Sequence, residues 1–383
     1  MVATFRRAPW AVLSLIAVNV AVGIFTIGSE QTLRSLGFTP SHPNLHSAFS
    51  SLFVHAHLPH LSANMLFLWL FGHYVEAAAG ARKLLALYLI GGLASVGGHY
   101  ALGVGFHPNL ADQALVGASG AISALVGYFA LRFYRARLRF VSFTRAGALV
   151  PIWLAVLAWA IWQAVGATIG ASHFEGGPIG YWAHLSGFLA GLLIAAFWGA
   201  GAQGERDLLI HEAEEQLRQA YPTAAIKCLE PLVKRVPPDA EALRLYAEAW
   251  DCLGNKVEAA ENYAGSLRQC LALSPKRYDE AMLCARRLML LGALDACQPT
   301  EIEQLVSWAL GQKDAAAAAL LMDGMVRAFR TIPGRASLML RLANLYRSPL
   351  GRTQESIRVL RQIVEEHEGS PEADAARFRL NKG

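Results

Sequence analysis

Polar side chains stand at the head of three apolar runs in this chain, and that placement constrains the fold more than any other feature. Ser119 follows Gly117-Ala118 and precedes Gly120 at the start of one run. His184 sits in Ala183-His184-Leu185-Ser186-Gly187 at the start of another, and His60 and Asn64 open a third. Each run is near the ~20 mainly apolar residues that a helix needs to cross a bilayer. Six such stretches can be drawn, at 9–27, 59–79, 83–102, 115–133, 147–169 and 180–200. Ionisable and hydrogen-bonding groups are costly in hydrocarbon, so where they occur they usually face a cavity or a partner and carry a function. A serine, a histidine and nearby hydrogen-bond donors are the parts needed for nucleophilic cleavage of an amide.

Charge divides the chain in two. Residues 1–202 hold 10 Lys/Arg and 4 Asp/Glu, whereas residues 203–383 hold 24 and 25. The formal net charge of +5 therefore comes from loop arginines of the apolar half, and it does not point to nucleic acid. The step near Gly201–Glu205 marks the domain boundary, giving a transmembrane domain over 1–202 and a soluble domain over 203–383. All five cysteines lie in the second half, the number is odd, and no C-x-x-C pair exists, so they read as reduced, buried thiols.

Orientation follows from where Lys and Arg fall. Arg6 and Arg7 precede span 1, and Arg82 and Lys83 lie between spans 2 and 3. Arg132, Arg135, Arg137, Arg139 and Arg145 cluster around the connection from span 4 to span 5, while the alternate connections hold only Arg34. The N-terminus, the two basic loops and the C-terminal domain are thus expected in the cytoplasm of a multi-pass inner-membrane protein. Spans 2, 4 and 6 then begin on the outer side. At ~1.5 Å per residue, Ser119, His184 and the His60/Asn64 pair lie at one depth, within ~10 Å of the outer helix ends.

Amide cleavage needs a base for the serine and donors for the tetrahedral oxyanion. His184 is the base candidate. Asn64, His60 and the Ser119 backbone N–H are the donor candidates, with His60 and Asn64 on one helix face at i and i+4. No acid is placed to orient His184, since Asp112 and Glu175 fall in outer loops; a Ser–His dyad is expected. Gly187 and Gly191 form a G-x-x-x-G ridge one turn beyond His184, matched by a narrow Ser119, Ser123, Gly127 stripe, which should let the two helices pack closely. Each motif alone has a bland reading, as helix packing, a satisfied core histidine or interhelical glue. Their agreement in depth favours the site. His73, His99, His107 and His173 lack metal-ligand spacing, so neither a metal nor a cofactor is expected.

Residues 9–200 resemble the bacterial rhomboids, a family of intramembrane serine proteases. The resemblance rests on Ser51-Leu-Phe-Val-His55 leading to His60-Leu-Ser-Ala-Asn64-Met-Leu-Phe-Leu-Trp69, on Gly117-Ala-Ser-Gly-Ala121, and on Ala183-His-Leu-Ser-Gly187-Phe-Leu-Ala-Gly191. It implies an all-α, six-helix core with Ser119 as nucleophile, His184 as base and His60 and Asn64 at the oxyanion. It also implies single-pass membrane proteins as substrates, a structural role for His55 and a packing role for Glu76. Two features depart from the family. Ser123 stands where some members carry an aromatic that stacks on the histidine, and the Trp-Arg pair of some first outer loops is missing between 28 and 58.

The second half reads as amphipathic helices broken at Tyr221-Pro222, Pro237-Pro238, Gly254-Asn255, Ser274-Pro275, Gly292, Pro299, Gly334, Gly351 and Gly369-Ser-Pro371. Leu243, Tyr246, Trp250, Gly254, Ala259, Ala260, Tyr263 and Pro275 resemble a tetratricopeptide repeat, with a weaker match through Leu342, Tyr346, Leu360 and Pro371. Stacked helical hairpins with a concave face for a protein partner are expected, against the alternative of a plain solenoid. The expectation for the whole chain is an intramembrane serine endopeptidase with a cytoplasmic repeat domain. The rival is a proteolytically silent scaffold that binds membrane clients.

Overall fold

The computed structural model describes residues 8–139, 149–169 and 180–381. Glu175, His173 and Arg145 lie outside these described residues. Two compact units emerge, Met1–Arg206 and Asp207–Gly383.

The first unit is built from helices α1 (Trp10–Thr26), α2 (Glu30–Leu36), α3 (Leu45–Ser50), α4 (Leu58–Ala79), α5 (Ala81–Gly98), the single turn α6 (Val104–Phe106), α7 (Ser119–Arg132), α8 (Ile152–Ile169) and α9 (Tyr181–Phe197). Helix α10 (Ala200–Arg218) follows the left-handed Gly199 and runs through the boundary. Helices fall on all six apolar stretches. Length and hydropathy are a stricter matter: among the described residues only the continuous helical stretch Ala81–Phe106 qualifies alone as a span, and α9 qualifies only when joined to α10. α1 and α8 are apolar but short. The physical reason lies in the site itself. α4 carries His60, Asn64, His73 and Glu76, which dilute its hydropathy, and α7 is short because it starts only at Ser119.

The fold is all-helical as expected, with one short strand pairing beside the helices. Strand β1 (Arg137–Arg139) pairs antiparallel with β2 (Leu149–Pro151), in the register Arg137↔Pro151, within the basic connection between α7 and α8.

Helix α7 is the axis of the first unit. Every residue from Gly120 to Phe129 is buried. It packs on α9 and α5 through small residues, and on α4 where Phe129 meets Phe71 and Tyr74. A methyl group on Gly187 would run into the Gly120 carbonyl, and one on Gly191 into the Ala124 carbonyl. The glycine ridge expected from sequence is therefore backbone-to-backbone contact, which brings the start of α9 against the start of α7. The peripheral helices turn apolar side chains outward, with Ile24, Phe25, Trp153, Ile161, Leu193 and Phe197 all exposed. Glu76 ties α4 to α1. Its two carboxylate oxygens accept from the Ala11 and Val12 N–H groups at 3.0 and 2.9 Å, satisfying donors in the first turn of α1.

The second unit stacks α11 (Pro222–Val233), α12 (Ala240–Cys252), α13 (Lys256–Ala272), α14 (Tyr278–Leu291), α15 (Pro299–Gly311), α16 (Ala315–Ala328), α17 (Arg335–Arg347), α18 (Thr353–Glu366) and α19 (Pro371–Asn381). Each helix packs mainly on its neighbours in sequence. Each expected break falls at or within a residue or two of a helix boundary. Asp239, Asn255 and Asp314 cap α12, α13 and α16 by accepting from backbone N–H groups in the first turn. Tyr263, Leu267 and Leu288 are fully enclosed in its core.

Candidate active site

Ser119 is the first residue of α7, and its position is set by the segment just before it. Phe38 and Leu115 exchange two backbone hydrogen bonds, at 3.0 and 2.8 Å, and the Gly117 N–H donates to the Ser51 carbonyl at 2.8 Å. Gly117 has φ +117°, a conformation that L side chains rarely adopt. It also lies against the site: a Cβ there would sit 2.7 Å from the His60 ring and 3.5 Å from Asn64 Nδ2. The close approach and the backbone conformation both require glycine. The tight turn delivers Ser119 beside both donor candidates.

His184 comes from the first turn of α9. Its Nε2 is 2.8 Å from Ser119 Oγ, and its Nδ1 is 2.9 Å from Gln163 Oε1 on α8. Sequence reasoning named the first contact and missed the second. Asp112, by contrast, is exposed on its loop. The signal for Gln163 was present: it is the lone amide in a helix that is otherwise apolar apart from its tryptophans and Thr168. It also sits ~9 Å from the C-terminal end of that helix.

Both donor candidates line the same cavity as Ser119 and His184. Asn64 is buried, and among the described residues its Nδ2 has no hydrogen-bond partner. A buried donor left unpaired costs ~1–3 kcal/mol, so it is kept where something else is to accept from it. His60 stands edge-on to His55 with ring centroids 5.1 Å apart. His57 caps α4, its Nδ1 accepting from the His60 N–H at 3.1 Å. No side chain caps α7, so its first N–H groups are left for whatever occupies the site. Ser123 turns its hydroxyl back to the Ser119 carbonyl at 2.8 Å and makes no stacking contact with the imidazole.

These groups line one cavity of about 740 Å³. Its floor is α7, with Ser119, Ile122, Ser123, Val126 and Phe129, and its walls are α4 and α8. Apart from the polar residues at one end, the lining is apolar and aromatic, including Phe67, Phe71, Trp159 and Trp162. Among the described residues no aspartate or glutamate lines it. Among the described residues no cluster of three or more His, Cys, Asp or Glu side chains could hold a metal.

Residues 42–200, which include all four candidate residues, match the family described as Rhomboid domain. Over 171 residues, 44% of this chain, it is 31% identical to Rhomboid protein 1, mitochondrial, of Saccharomyces cerevisiae, of which it covers 46%. Over 201 residues, 50% of the chain, it is 30% identical to Rhomboid protease GlpG of Pectobacterium atrosepticum, covering 64%. The chain thus spans less than two thirds of either relative. These matches support the rhomboid family, and with it a membrane location, for the first unit.

Proposed function

We propose that the first unit is an intramembrane serine endopeptidase working through a Ser119–His184 dyad. The observation that carries the reading is the 2.8 Å contact between Ser119 Oγ and His184 Nε2 beside the unpartnered amide of Asn64. In this mechanism Ser119 Oγ attacks the scissile carbonyl carbon while Nε2 takes its proton. The negative charge that develops on the carbonyl oxygen is met by Asn64 Nδ2, by the Ser119 N–H at the uncapped start of α7, and by His60. Collapse of the tetrahedral adduct breaks the C–N bond, and the imidazolium returns its proton to the leaving nitrogen. Water then attacks the acyl-enzyme by the same route.

The apolar cavity between α4 and α8 suits an apolar peptide segment rather than a charged one. This favours single-pass membrane proteins as substrates, cleaved in or near the outer part of their transmembrane segment. The six helices on apolar stretches would cross an inner membrane with both termini cytoplasmic, and the outward apolar side chains would meet lipid. The second unit is read as a tetratricopeptide-like solenoid that holds a protein partner, supported by its neighbour-to-neighbour packing.

The test is cleavage of a single-pass substrate by purified protein in detergent, with Ser119→Ala and His184→Ala beside the wild type. Both variants should fold and lose cleavage. Comparable turnover in either removes the dyad, and a folded wild type inert towards a panel of substrates favours the silent scaffold.

A further inference from the structure

We propose that Gln163 is a positioning residue for His184, holding the imidazole in the one tautomer that can take the Ser119 proton; this rests on the peptidase reading above. A neutral imidazole carries one N–H. With that proton on Nδ1 it is donated to Gln163 Oε1 at 2.9 Å, and the Nε2 lone pair faces Ser119 Oγ at 2.8 Å. With the proton on Nε2 and the amide oriented as it is here, two lone pairs would oppose each other at the Gln163 contact, and Nε2 could not accept from Ser119.

Packing alone does not explain the residue. Gln163 is 2% exposed, on a helix of Trp, Leu, Ile, Val and Ala. A buried amide costs free energy that an apolar side chain of the same shape avoids, so it is retained where its hydrogen bond matters. A neutral acceptor also fits this place. A carboxylate here would have, among the described lining residues, only the histidines to balance it, chiefly the His184 imidazolium that forms during the reaction. When His184 takes the proton, the Nδ1–H···Oε1 bond becomes charge-assisted and strengthens. The contact is therefore stronger in the transition state than in the ground state, which is the condition for it to accelerate the reaction.

The test uses the full chain with Gln163→Met, similar in shape but without the acceptor, and Gln163→Glu, which keeps it. Turnover of a single-pass substrate is read as separate kcat and KM, and the His184 tautomer is read by ¹⁵N NMR of histidine-labelled protein. Positioning predicts a kcat about 10- to 100-fold lower in the methionine variant with KM nearly unchanged, and much of the rate restored in the glutamate variant. It also predicts the His184 proton on Nδ1 in the wild type and a tautomer mixture in Gln163→Met. A methionine variant with unchanged kcat overturns the inference, as does a wild-type spectrum with the proton on Nε2. If the wild type shows the Nδ1–H tautomer but no turnover, the peptidase reading fails while the positioning stands. If Gln163→Met does not fold, the wild-type spectrum and the glutamate variant decide.

Discussion

Helix α7 in the first unit is buried without interruption from Gly120 to Phe129, whereas α18 in the second buries only Ser356, Val359, Leu360 and Ile363, a single stripe at i, i+3, i+4 and i+7. The same regular structure is stabilised in two ways. In the second unit each helix buries an apolar face and leaves a polar one exposed. In the first, apolar side chains such as Phe25 and Phe197 point outward, so apolarity cannot by itself tell one face from another. Helix association there relies on close backbone contact through glycine and on a few hydrogen-bonded polar groups. A polar residue inside the first unit is therefore informative, whereas one in the second is mostly a cap or a solvated face.

The contrast can be broken most severely at a helix contact. Gly191→Leu would drive a side chain into the Ala124 carbonyl and should cost the first unit well over ~3 kcal/mol, or its fold. Gly265→Ala in α13 meets Leu243 at an ordinary 3.5 Å and should be neutral or stabilising by up to ~1 kcal/mol. Thermal unfolding followed by circular dichroism compares the two, and similar responses would undo the distinction.

Next in size is the oxyanion donor. Asn64→Ala should lower kcat by about 10²- to 10³-fold, with little change in KM. Activity within a few-fold of wild type would make Asn64 interhelical glue.

A smaller effect is expected from removing the second unit. Because the first unit ends at Arg206 and Ile210 and Ala213 already belong to the core of the second, the cut follows Arg206 rather than Gly201. The shortened chain should cleave a test substrate within several-fold of the full rate. A folded but inert product would make the repeats an activator.

The smallest effect concerns thiols. Burial pushes Cys270 up to about 11 and Cys297 up to about 12, while Cys252 is exposed. Iodoacetamide at about pH 8 should modify Cys252 and spare Cys270 and Cys297 until the unit is unfolded. Since both folded values are raised, the stability the thiols contribute is complete below about pH 8.5 and is lost as the pH climbs through 11 to 12. Rapid labelling of Cys297 in the native state would contradict the packing described.

Much of this was legible before the structure. Depth matching along helices brought Ser119, His184, His60 and Asn64 together, because a bilayer forces long-range residues into register. Glycine and proline punctuation marked the helix ends of the second unit. The turn between α15 and α16 escaped, because Lys313 rather than glycine takes the left-handed conformation there, at φ +61°. Gln163 escaped because an acid is the commoner partner of a catalytic histidine, although a lone amide buried in an apolar helix also carries a cost that calls for a partner. The β1–β2 pairing escaped because three-residue strands have too few positions to show a period of two.

The central claim is that Ser119 is made nucleophilic by His184. Treating the folded protein with a fluorophosphonate and locating the adduct by peptide mass spectrometry tests it most directly, and needs no knowledge of the natural substrate. The account predicts a single adduct on Ser119, absent after denaturation and in His184→Ala. An adduct elsewhere, or equal labelling of Ser119 in His184→Ala, would contradict it.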